Sequence, residues 1–326
     1  MRSAQMRSRF GWQAQFVLLA VIWGSSFLFI KVLGEHWSAL WVAFARIALG
    51  AITLTVLVLL RRERLPADRT LWLHCAVAAV LFNAVPWTLF AYGEQHTTSV
   101  VAGLWNATTP LWTVLVSLIA FHEQRPTRAL TASLGIGFLG VVILLGPWRA
   151  IGGSQLIGHL ACAAAALSYG VGFNYTRRNL AGRVESGVVL SACQLICATA
   201  ILAPFAALAP LPGQLSLAAA GSLLALGTLA SGVAFALNFA IVRARGATVA
   251  STVTYLMPVV STVLGAIVLG EAVHWNQPVG TAVLLAGIAA SRGGLGAAHR
   301  AIRRRRPSPT PHPGAPEPAP TAVPRR

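Results

Sequence analysis

Ionisable side chains are scarce in this sequence, and the few that interrupt its apolar stretches are the first candidates for chemistry. Arg46 falls within a long apolar run and Glu94 stands at the end of another. A charge inside an apolar span is expensive, so such residues are default candidates for function. Arg46 could attract an anionic or carboxylate-bearing solute, or it could tie helix-end carbonyls as a structural element. Glu94 could titrate if protons are moved, or it could be a solvated helix end.

Neutral polar and aromatic side chains inside apolar stretches form a second group of candidates. Indoles, phenols and amides in such places serve either as substrate contacts or as hydrogen-bonded ties between helices. As a set they suit a small amphipathic solute, which needs aromatic walls and a few hydrogen-bonding groups. The residues that we expect to line a cavity are Trp23, Ser26, Asn83, Trp87, Asn106, Tyr169, Asn174 and Tyr255.

Two prolines in long apolar stretches, Pro110 and Pro258, are candidates for helix breaks that act in gating. Proline removes a helical hydrogen bond, which is destabilising in water-soluble helices. Membrane helices tolerate it because neighbouring helices and hydroxyl side chains can satisfy the freed carbonyl. Thr108, Thr109 and Thr254 supply such hydroxyls nearby.

Enzyme chemistry finds little support in the sequence. Asp68 is the only aspartate, which removes aspartate-pair metal sites and aspartyl-protease pairs. Lys31 is the only lysine and follows Ile30, so no Walker-type phosphate loop is present, and no His-Glu-x-x-His pattern occurs. The four cysteines fall inside apolar stretches and predict no metal site. We therefore expect no catalytic residues, no cofactor and no metal.

The composition is that of a membrane protein. Of 326 residues, 56% are hydrophobic and 10% are charged, against roughly 25% charged in soluble domains. A membrane-spanning helix needs about 20 mostly apolar residues. Ten such spans are predicted, at residues 13–33, 38–60, 70–92, 97–120, 128–147, 156–176, 187–209, 215–240, 247–270 and 276–292.

The net charge of +17 reflects membrane topology rather than nucleic-acid binding. With the N-terminus placed in the cytoplasm, 22 of the 25 basic residues fall on the inner side. Only Lys31 and Arg149 fall outside, and Arg46 lies within a span. This distribution is what the positive-inside rule predicts for ten spans with both termini in the cytoplasm.

The sequence consists of two related halves. Pro110 and Pro258 are 148 positions apart, and so are Glu123 and Glu271, which each close an apolar segment. We expect both glutamates to fix loop and helix geometry. In the same register Arg46 matches Gln194, and Trp87 matches Phe235; Gly24 and Gly170 match at 146. Five spans per half is an odd number, so the halves are predicted to be inverted in the membrane, as in many secondary transporters.

The motifs together resemble those of EamA-type transporters of the drug/metabolite transporter superfamily. They are Trp23-Gly-Ser-Ser-Phe27, Arg46, Asn106-Ala-Thr-Thr-Pro110 to Glu123, and Tyr255-Leu-Met-Pro258 to Glu271. The resemblance implies an all-α fold of ten helices in two inverted five-helix repeats, in a bacterial inner membrane. It also implies a carrier, often an exporter of amino acids or other small metabolites, with a central cavity between the repeats.

The predicted organisation is a cytoplasmic N-terminus (1–12), a first repeat (13–147), a linker (148–155), a second repeat (156–292) and a basic, proline-rich disordered tail (293–326). The expected partners are a small-molecule substrate, the lipid bilayer and protons as a candidate coupling ion, without nucleic acid. The oligomeric state is left open. A channel-like pore and a non-transporting membrane partner remain the alternatives to a carrier; channels need a continuous polar lining, which these apolar spans lack.

Overall fold

The protein is described from a computed structural model, which covers residues 2–120, 128–146, 152–180, 182–245 and 252–305. Every regular element in these ranges is a helix. Six helical stretches are long and apolar enough to cross a membrane, and three shorter apolar ones accompany them. The all-helical membrane fold predicted from the sequence is confirmed.

Ten helical stretches follow one another and are named α1 to α10, several of them with a local break. Their bounds are Arg2–Gly24 and Ser26–Gly34 (α1), Ala39–Leu60 (α2), Arg69–His96 (α3), Ser99–Asn106 and Thr109–Ile119 (α4), Arg128–Leu145 (α5), Gly153–Asn179 (α6), Gly187–Leu208 (α7), Leu217–Leu224, Ala225–Val233 and Ala234–Arg245 (α8), Thr252–Tyr255 and Met257–Val268 (α9), and Asn276–Arg305 (α10).

Short polar side chains mark where five of these helices begin. The first backbone N–H groups of a helix have no partner within it, and a Ser, Thr or Asp just before the helix can accept from one of them. The capping side chains are Ser38 (α2), Asp68 (α3), Thr98 (α4), Ser186 (α7) and Ser216 (α8). The polar joints of the sequence therefore act as helix starts.

Helices α4 and α9 are interrupted just before their prolines. The second segment of α4 starts at Thr109 and that of α9 at Met257, which places Pro110 and Pro258 in the first helical turn. Proline fits this position because the N–H that it lacks would be unpaired there anyway. The Thr108 hydroxyl donates to the carbonyl of Trp105 at 2.7 Å, next to the break. A gating role for the two prolines stays a prediction.

Helices α3 and α8 each contain a π-helical segment, at Val80–Ala84 and Ala225–Val233. Asn83 and Ser231 lie in these segments, 148 positions apart, and both are buried. The Ser231 hydroxyl donates to the carbonyl of Leu226, five residues earlier, at 3.1 Å. A π-turn rotates the residues that follow it relative to those before. The sequence analysis did not predict either segment.

The helix contacts are related by exchanging the first five helices for the last five. Helix α2 packs on α7, α4 on α9 and α5 on α10. In each of these pairs the two helices occupy the same position in the two halves, so the exchange leaves the pair unchanged. The contact of α3 with α6 is matched by α8 with α1, that of α4 with α6 by α9 with α1, and that of α2 with α8 by α7 with α3. The two repeats thus pack with pseudo-two-fold symmetry, and their odd helix number makes one inverted relative to the other.

Two close helix approaches show the same symmetry in detail. A Cβ added to Gly24 would lie 2.5 Å from the Cβ of Val260, and one added to Gly170 would lie 2.8 Å from the Cβ of Trp112. Trp112 and Val260 are 148 positions apart, as the repeat requires. The contacts of α1 with α9 and of α6 with α4 therefore both depend on a glycine.

The helices at the two chain ends are longer than expected. Residues 1–12 and 293–326 were expected to lie outside the helical core, but α1 begins at Arg2 and α10 continues to Arg305. The structure gives the segment 293–305 as helix, whereas disorder was expected there. Three glycines at its start disfavour a helix, but it contains no proline, and the alanines and arginines that follow favour one. The proline-rich part, from Pro307 onward, lies outside the described residues.

Large apolar side chains cover the outside of the helices. Ile52 is 61% exposed, Leu73 64%, Phe205 56% and Ile267 77%. An apolar surface of this extent is unusual for a soluble protein but is what a helix bundle presents to lipid.

Candidate functional site

Arg46 is buried in α2 and stacks on an aromatic ring of α3. It is 7% exposed, and its guanidinium carbon lies 3.9 Å from the centroid of the Trp87 ring. This is a cation–π contact, which is stronger when desolvated. Its Nε is enclosed without a hydrogen-bond partner, and within the described part of the chain no carboxylate forms an ion pair with it. The expected alternative, a tie to helix-end carbonyls, is not formed among the described residues.

Trp87 also connects the two repeats. Its indole Nε1 donates to the hydroxyl of Tyr169, on α6 in the second repeat, at 2.7 Å. The Tyr169 ring packs near Phe82 and Phe90, with centroid distances of 5.9 and 6.0 Å. A buried indole needs a partner for its N–H, and here the partner comes from the other repeat.

Asn83 lies in the π-helical segment of α3, four residues before Trp87. It is 4% exposed, and its Oδ1 has no hydrogen-bond partner among the described residues. Glu94 follows seven residues after Trp87 on the same face. Asn83, Trp87 and Glu94 are all buried, and we refer to these three residues as the polar stripe of α3.

Trp23 and Ser26 lie on α1, and Trp23 contacts α8 of the second repeat. The indole Nε1 of Trp23 donates to the carbonyl of Ala230, in the π-segment of α8, at 3.1 Å. The Trp23 ring meets that of Phe235 edge-on at 6.1 Å. The hydroxyl of Ser26 donates to the carbonyl of Ile22 within α1 at 3.3 Å. In this conformation Ser26 is thus engaged with its own helix.

Asn106 faces the other repeat where α4 is broken. Its Nδ2 lies 4.0 Å from the sulfur of Met257 on α9, and it is 8% exposed. This long contact to a thioether is a weak hydrogen bond. Asn106 is thus a poorly satisfied amide between the repeats. The side chain of Tyr255, a further expected cavity residue, lies outside the described side chains.

Asn174 differs from the other expected cavity residues because its amide is fully occupied. Its Nδ2 donates to the carbonyl of Thr113 on α4 and to that of Gly170, each at 2.9 Å, and its Oδ1 accepts from Arg177 at 3.2 Å. It is 1% exposed. Asn174 ties α6 to α4, and this structure does not bring it to the polar stripe of α3.

Glu94 lies beside a cavity at the end of α1 and α3. The cavity has a volume of about 200 Å³ and is lined by Ile30, Lys31, Gly34, Glu35, Glu94 and Gln95. Glu94 is 1% exposed, and neither carboxylate oxygen has a hydrogen-bond partner in the described part of the chain. Lys31, Arg46 and Glu271 are the charged residues within electrostatic range of it. The expected solvated helix end is therefore wrong, because this carboxyl group is enclosed.

Three polar contacts between helices were not assigned from the sequence. Lys31 donates from Nζ to the carbonyls of Glu94 and Thr97, at 2.5 and 2.8 Å. The indole of Trp105 donates to Nδ1 of His159, across α4 and α6, at 3.0 Å. Glu271 binds the start of α4. Their only sequence signal is that each is an isolated polar group next to an apolar run, which names the residue but not its partner.

Within the described ranges, no group of three or more His, Cys, Asp or Glu side chains is arranged to hold a metal ion. What the central residues offer is a buried guanidinium, aromatic faces and partly unsatisfied amides and hydroxyls. These groups can bind and release a solute between two repeats. A helical membrane protein with inverted repeats and a polar site at their interface has the architecture of a secondary transporter.

Comparison with known proteins agrees with this class. The model of the EamA-like transporter family matches the chain twice, at residues 11–146 and 156–292. The protein therefore belongs to the EamA-like transporter family.

Individual relatives are named as transporters. The chain is 31% identical over 207 residues to YedA of Escherichia coli (strain K12), named an inner membrane transporter; the match covers 60% of this chain and 65% of YedA. It is 23% identical over 275 residues to the transporter YoaV of Bacillus subtilis (strain 168), covering 83% of this chain and 93% of YoaV. A chain of known crystal structure shares the fold, with a TM-score of 0.59 and 23% identity over 90% of this chain and 98% of that one.

Proposed function

We propose that this transporter is a secondary carrier that moves a small metabolite across the bacterial inner membrane by alternating access. The observation that carries the proposal is the Trp87–Tyr169 hydrogen bond, which joins the two inverted repeats beside the buried charge of Arg46. A solute held there would contact both repeats. Rocking of one repeat against the other would then expose the same residues to either side.

The proposed site consists of the polar stripe of α3 together with aromatic residues of α1 and α6. Arg46, Asn83, Trp87 and Tyr169 form its one side, and Trp23, Ser26 and Asn106 the other. Tyr169 belongs to the contacts of both neighbouring core clusters, that of Trp87 and that of Phe27, Phe90 and Trp105. Because it lies between these clusters, it is well placed to respond when they shift.

The orientation follows from the distribution of charge. Arginines follow α2, α6 and α10, whereas the joint between α1 and α2 and that between α3 and α4 contain none. By the positive-inside rule both termini then lie in the cytoplasm. The cavity beside Glu94 would open to the outside. YedA is named an inner membrane transporter, which supports the same membrane for this chain.

Glu94 is the proposed coupling group for protons. A carboxyl group that is buried, unpartnered and next to a cavity can take up and release a proton as that cavity opens and closes. Export of amino acids or related compounds is the direction and class that the family resemblance suggests, and we include both in the proposal.

Flux measurements on purified protein in liposomes test this function. Solutes would first be screened by thermal shift, and the best hit offered as a radiolabelled compound. Saturable uptake that an imposed pH gradient accelerates is expected. Trp87→Ala should reduce this uptake at least tenfold, whereas Phe205→Ala, which removes an exposed aromatic ring of α7, should leave it unchanged. Ion current that does not saturate would instead show a channel, and absence of any flux would refute transport.

A further inference from the structure

We propose that the transported solute carries an anionic group, which binds the guanidinium of Arg46, next to a flat apolar body. This inference rests on the proposed function and specifies its substrate by charge. Its basis is that Arg46 is a buried cation to which the described part of the chain gives an aromatic face but neither an ion pair nor a hydrogen bond.

A cation in this position needs a counter-charge. Moving an ion from water into an apolar interior is strongly unfavourable unless it is paired and hydrogen-bonded. The cation–π contact on Trp87 compensates for only part of this cost, because an aromatic face carries no net charge and accepts no strong hydrogen bond. The five N–H donors of a guanidinium are best satisfied by a planar anion that accepts two of them at once.

Glu94 does not fulfil this requirement. It lies seven residues beyond Trp87 on α3, which is about 10 Å further along the helix axis. It is within electrostatic range of Arg46 but forms no ion pair with it. The Nζ of Lys31 binds the backbone carbonyl of Glu94, and Lys31 lines the same cavity as Glu94. Among the described residues no carboxylate therefore pairs with Arg46, and a mobile anion would supply the missing counter-charge.

Trp87 connects the guanidinium to a second hydrogen-bond donor, the hydroxyl of Tyr169. It stacks on Arg46 through its ring face and donates through Nε1 to the Tyr169 oxygen at 2.7 Å. Tyr169 is thus the acceptor in this bond, and its own O–H proton has no acceptor among the described residues. A carboxylate could accept from Arg46 and from Tyr169 together, and so bind to both repeats.

Aromatic rings surround this pair of donors. Phe82 and Phe90 pack near Tyr169, and Phe235 joins the same core cluster as Trp87. Aromatic walls with a few directed polar groups select a small solute that has a flat apolar part. Aromatic and other planar monocarboxylates fit this description.

Three probes of nearly the same shape separate charge from size: phenylacetate, 2-phenylacetamide and phenethylamine. Each probe would be added, unlabelled and on both sides of the membrane, to liposomes that contain the wild-type protein. Its competition with the labelled solute from the flux screen would then be measured. We expect phenylacetate to compete at least tenfold better than the amide, and phenethylamine to compete least. Equal competition by all three, or a preference for the amine, would overturn the inference while leaving transport established. If no solute is transported at all, the proposed function fails instead.

Variants then locate the effect. Arg46→Gln should abolish the preference for phenylacetate over the amide, and Arg46→Lys should keep its direction with a smaller ratio. Tyr169→Phe, which keeps the ring and removes the donor, should reduce phenylacetate competition three- to tenfold and leave the amide nearly unchanged. If Arg46→Gln does not fold, two results decide whether the inference stands. They are the effect of Tyr169→Phe and the ratio of phenylacetate to amide competition in the wild type. An unchanged ratio in Arg46→Gln would overturn the assignment to Arg46.

Discussion

Glu271 of the second repeat caps the start of α4 in the first through Ser99. Its Oε1 accepts from the backbone N–H of Ser99 at 2.8 Å, and its Oε2 accepts from the Ser99 hydroxyl at 2.9 Å and from the N–H of Val100 at 3.0 Å. Carboxylates at helix starts are favoured both by the orphan N–H groups and by the helix dipole. One side chain thus connects the end of α9, in the second repeat, to the start of α4, in the first.

Removing this cap should destabilise the protein. Glu271→Ala is expected to lower the free energy of unfolding by about 2 kcal/mol, because charge-assisted hydrogen bonds are lost from buried donors. The free energy of unfolding of Glu271→Gln should lie between those of the wild type and Glu271→Ala, since an amide keeps one acceptor oxygen. The melting temperature in detergent measures this, with Glu35→Ala, an exposed carboxylate of the same side, as control. Equal melting temperatures for Glu271→Ala and the control would contradict the capping role.

Glu94→Gln is expected to separate transport from its response to protons. An amide has nearly the same shape but cannot take up or release a proton, so uptake down a solute gradient should continue while acceleration by a pH gradient is lost. Glu35→Gln, at the rim of the same cavity, should respond as the wild type does. Liposome uptake with and without a pH gradient checks both. A normal pH response in Glu94→Gln would assign coupling to another group.

Gly280 should not tolerate even a methyl group. A Cβ there would lie 2.5 Å from the backbone nitrogen of Leu144 and 2.7 Å from the carbonyl oxygen of Gly140, so α10 and α5 would have to separate. Gly280→Ala is expected to lower the free energy of unfolding by about 2 kcal/mol, as overpacking does.

The matched control is Gly135→Ala on α5, where a Cβ would have no heavy atom within 4 Å. Alanine favours helix over glycine, so this variant should melt at the same or a slightly higher temperature. A similar loss in both variants would mean that helix packing is not what distinguishes Gly280.

Asp68 makes the stability of the α2–α3 joint dependent on acid. Hydrogen bonds from the backbone N–H of Thr70 and, to a smaller extent, of Leu71 and from Arg183 hold the pKa of Asp68 below its ordinary value. A carboxyl group whose pKa is lowered by folding stabilises the fold above its unfolded pKa, near 4. That contribution is lost as the pH falls through the lower, folded value.

The melting temperature of the wild type should therefore exceed that of Asp68→Asn by a small, constant amount around neutral pH. The difference should shrink below about pH 4, where the unfolded carboxyl group is protonated. Arg183→Gln should show a smaller difference of the same sign. A gap between wild type and Asp68→Asn that grows in acid would contradict this account.

Much of the fold was predictable because membrane helices leave a strong signal. Apolar length, the arginine distribution and the 148-residue repeat gave ten helices in two halves before any contact was known. The prolines gave the breaks in α4 and α9. The end of α10 was missed because the expected boundary followed hydropathy, whereas the helix continues through basic residues that favour it.

The site was only partly predictable. Burial of Arg46 follows from its apolar neighbours, but its stacking on Trp87 depends on how α2 meets α3, and that is set by tertiary packing. The π-segments that position Asn83 and Ser231 have no pattern that single-sequence reasoning could recognise. Asn174 was expected to line the cavity because of its residue type. Its amide instead binds a carbonyl of α4, a contact that the sequence does not reveal.

Arg46 has no counterpart of like charge, since its match in the other half is Gln194. If a molecule of two identical halves turned inside out, it would reproduce itself, and its two resting shapes would have equal energy. Under the proposed alternating access, the unmatched guanidinium would make the two shapes unequal in energy, so one of them would be preferred when no cargo is present. An empty carrier of this kind would then rest with its site open to one side of the membrane.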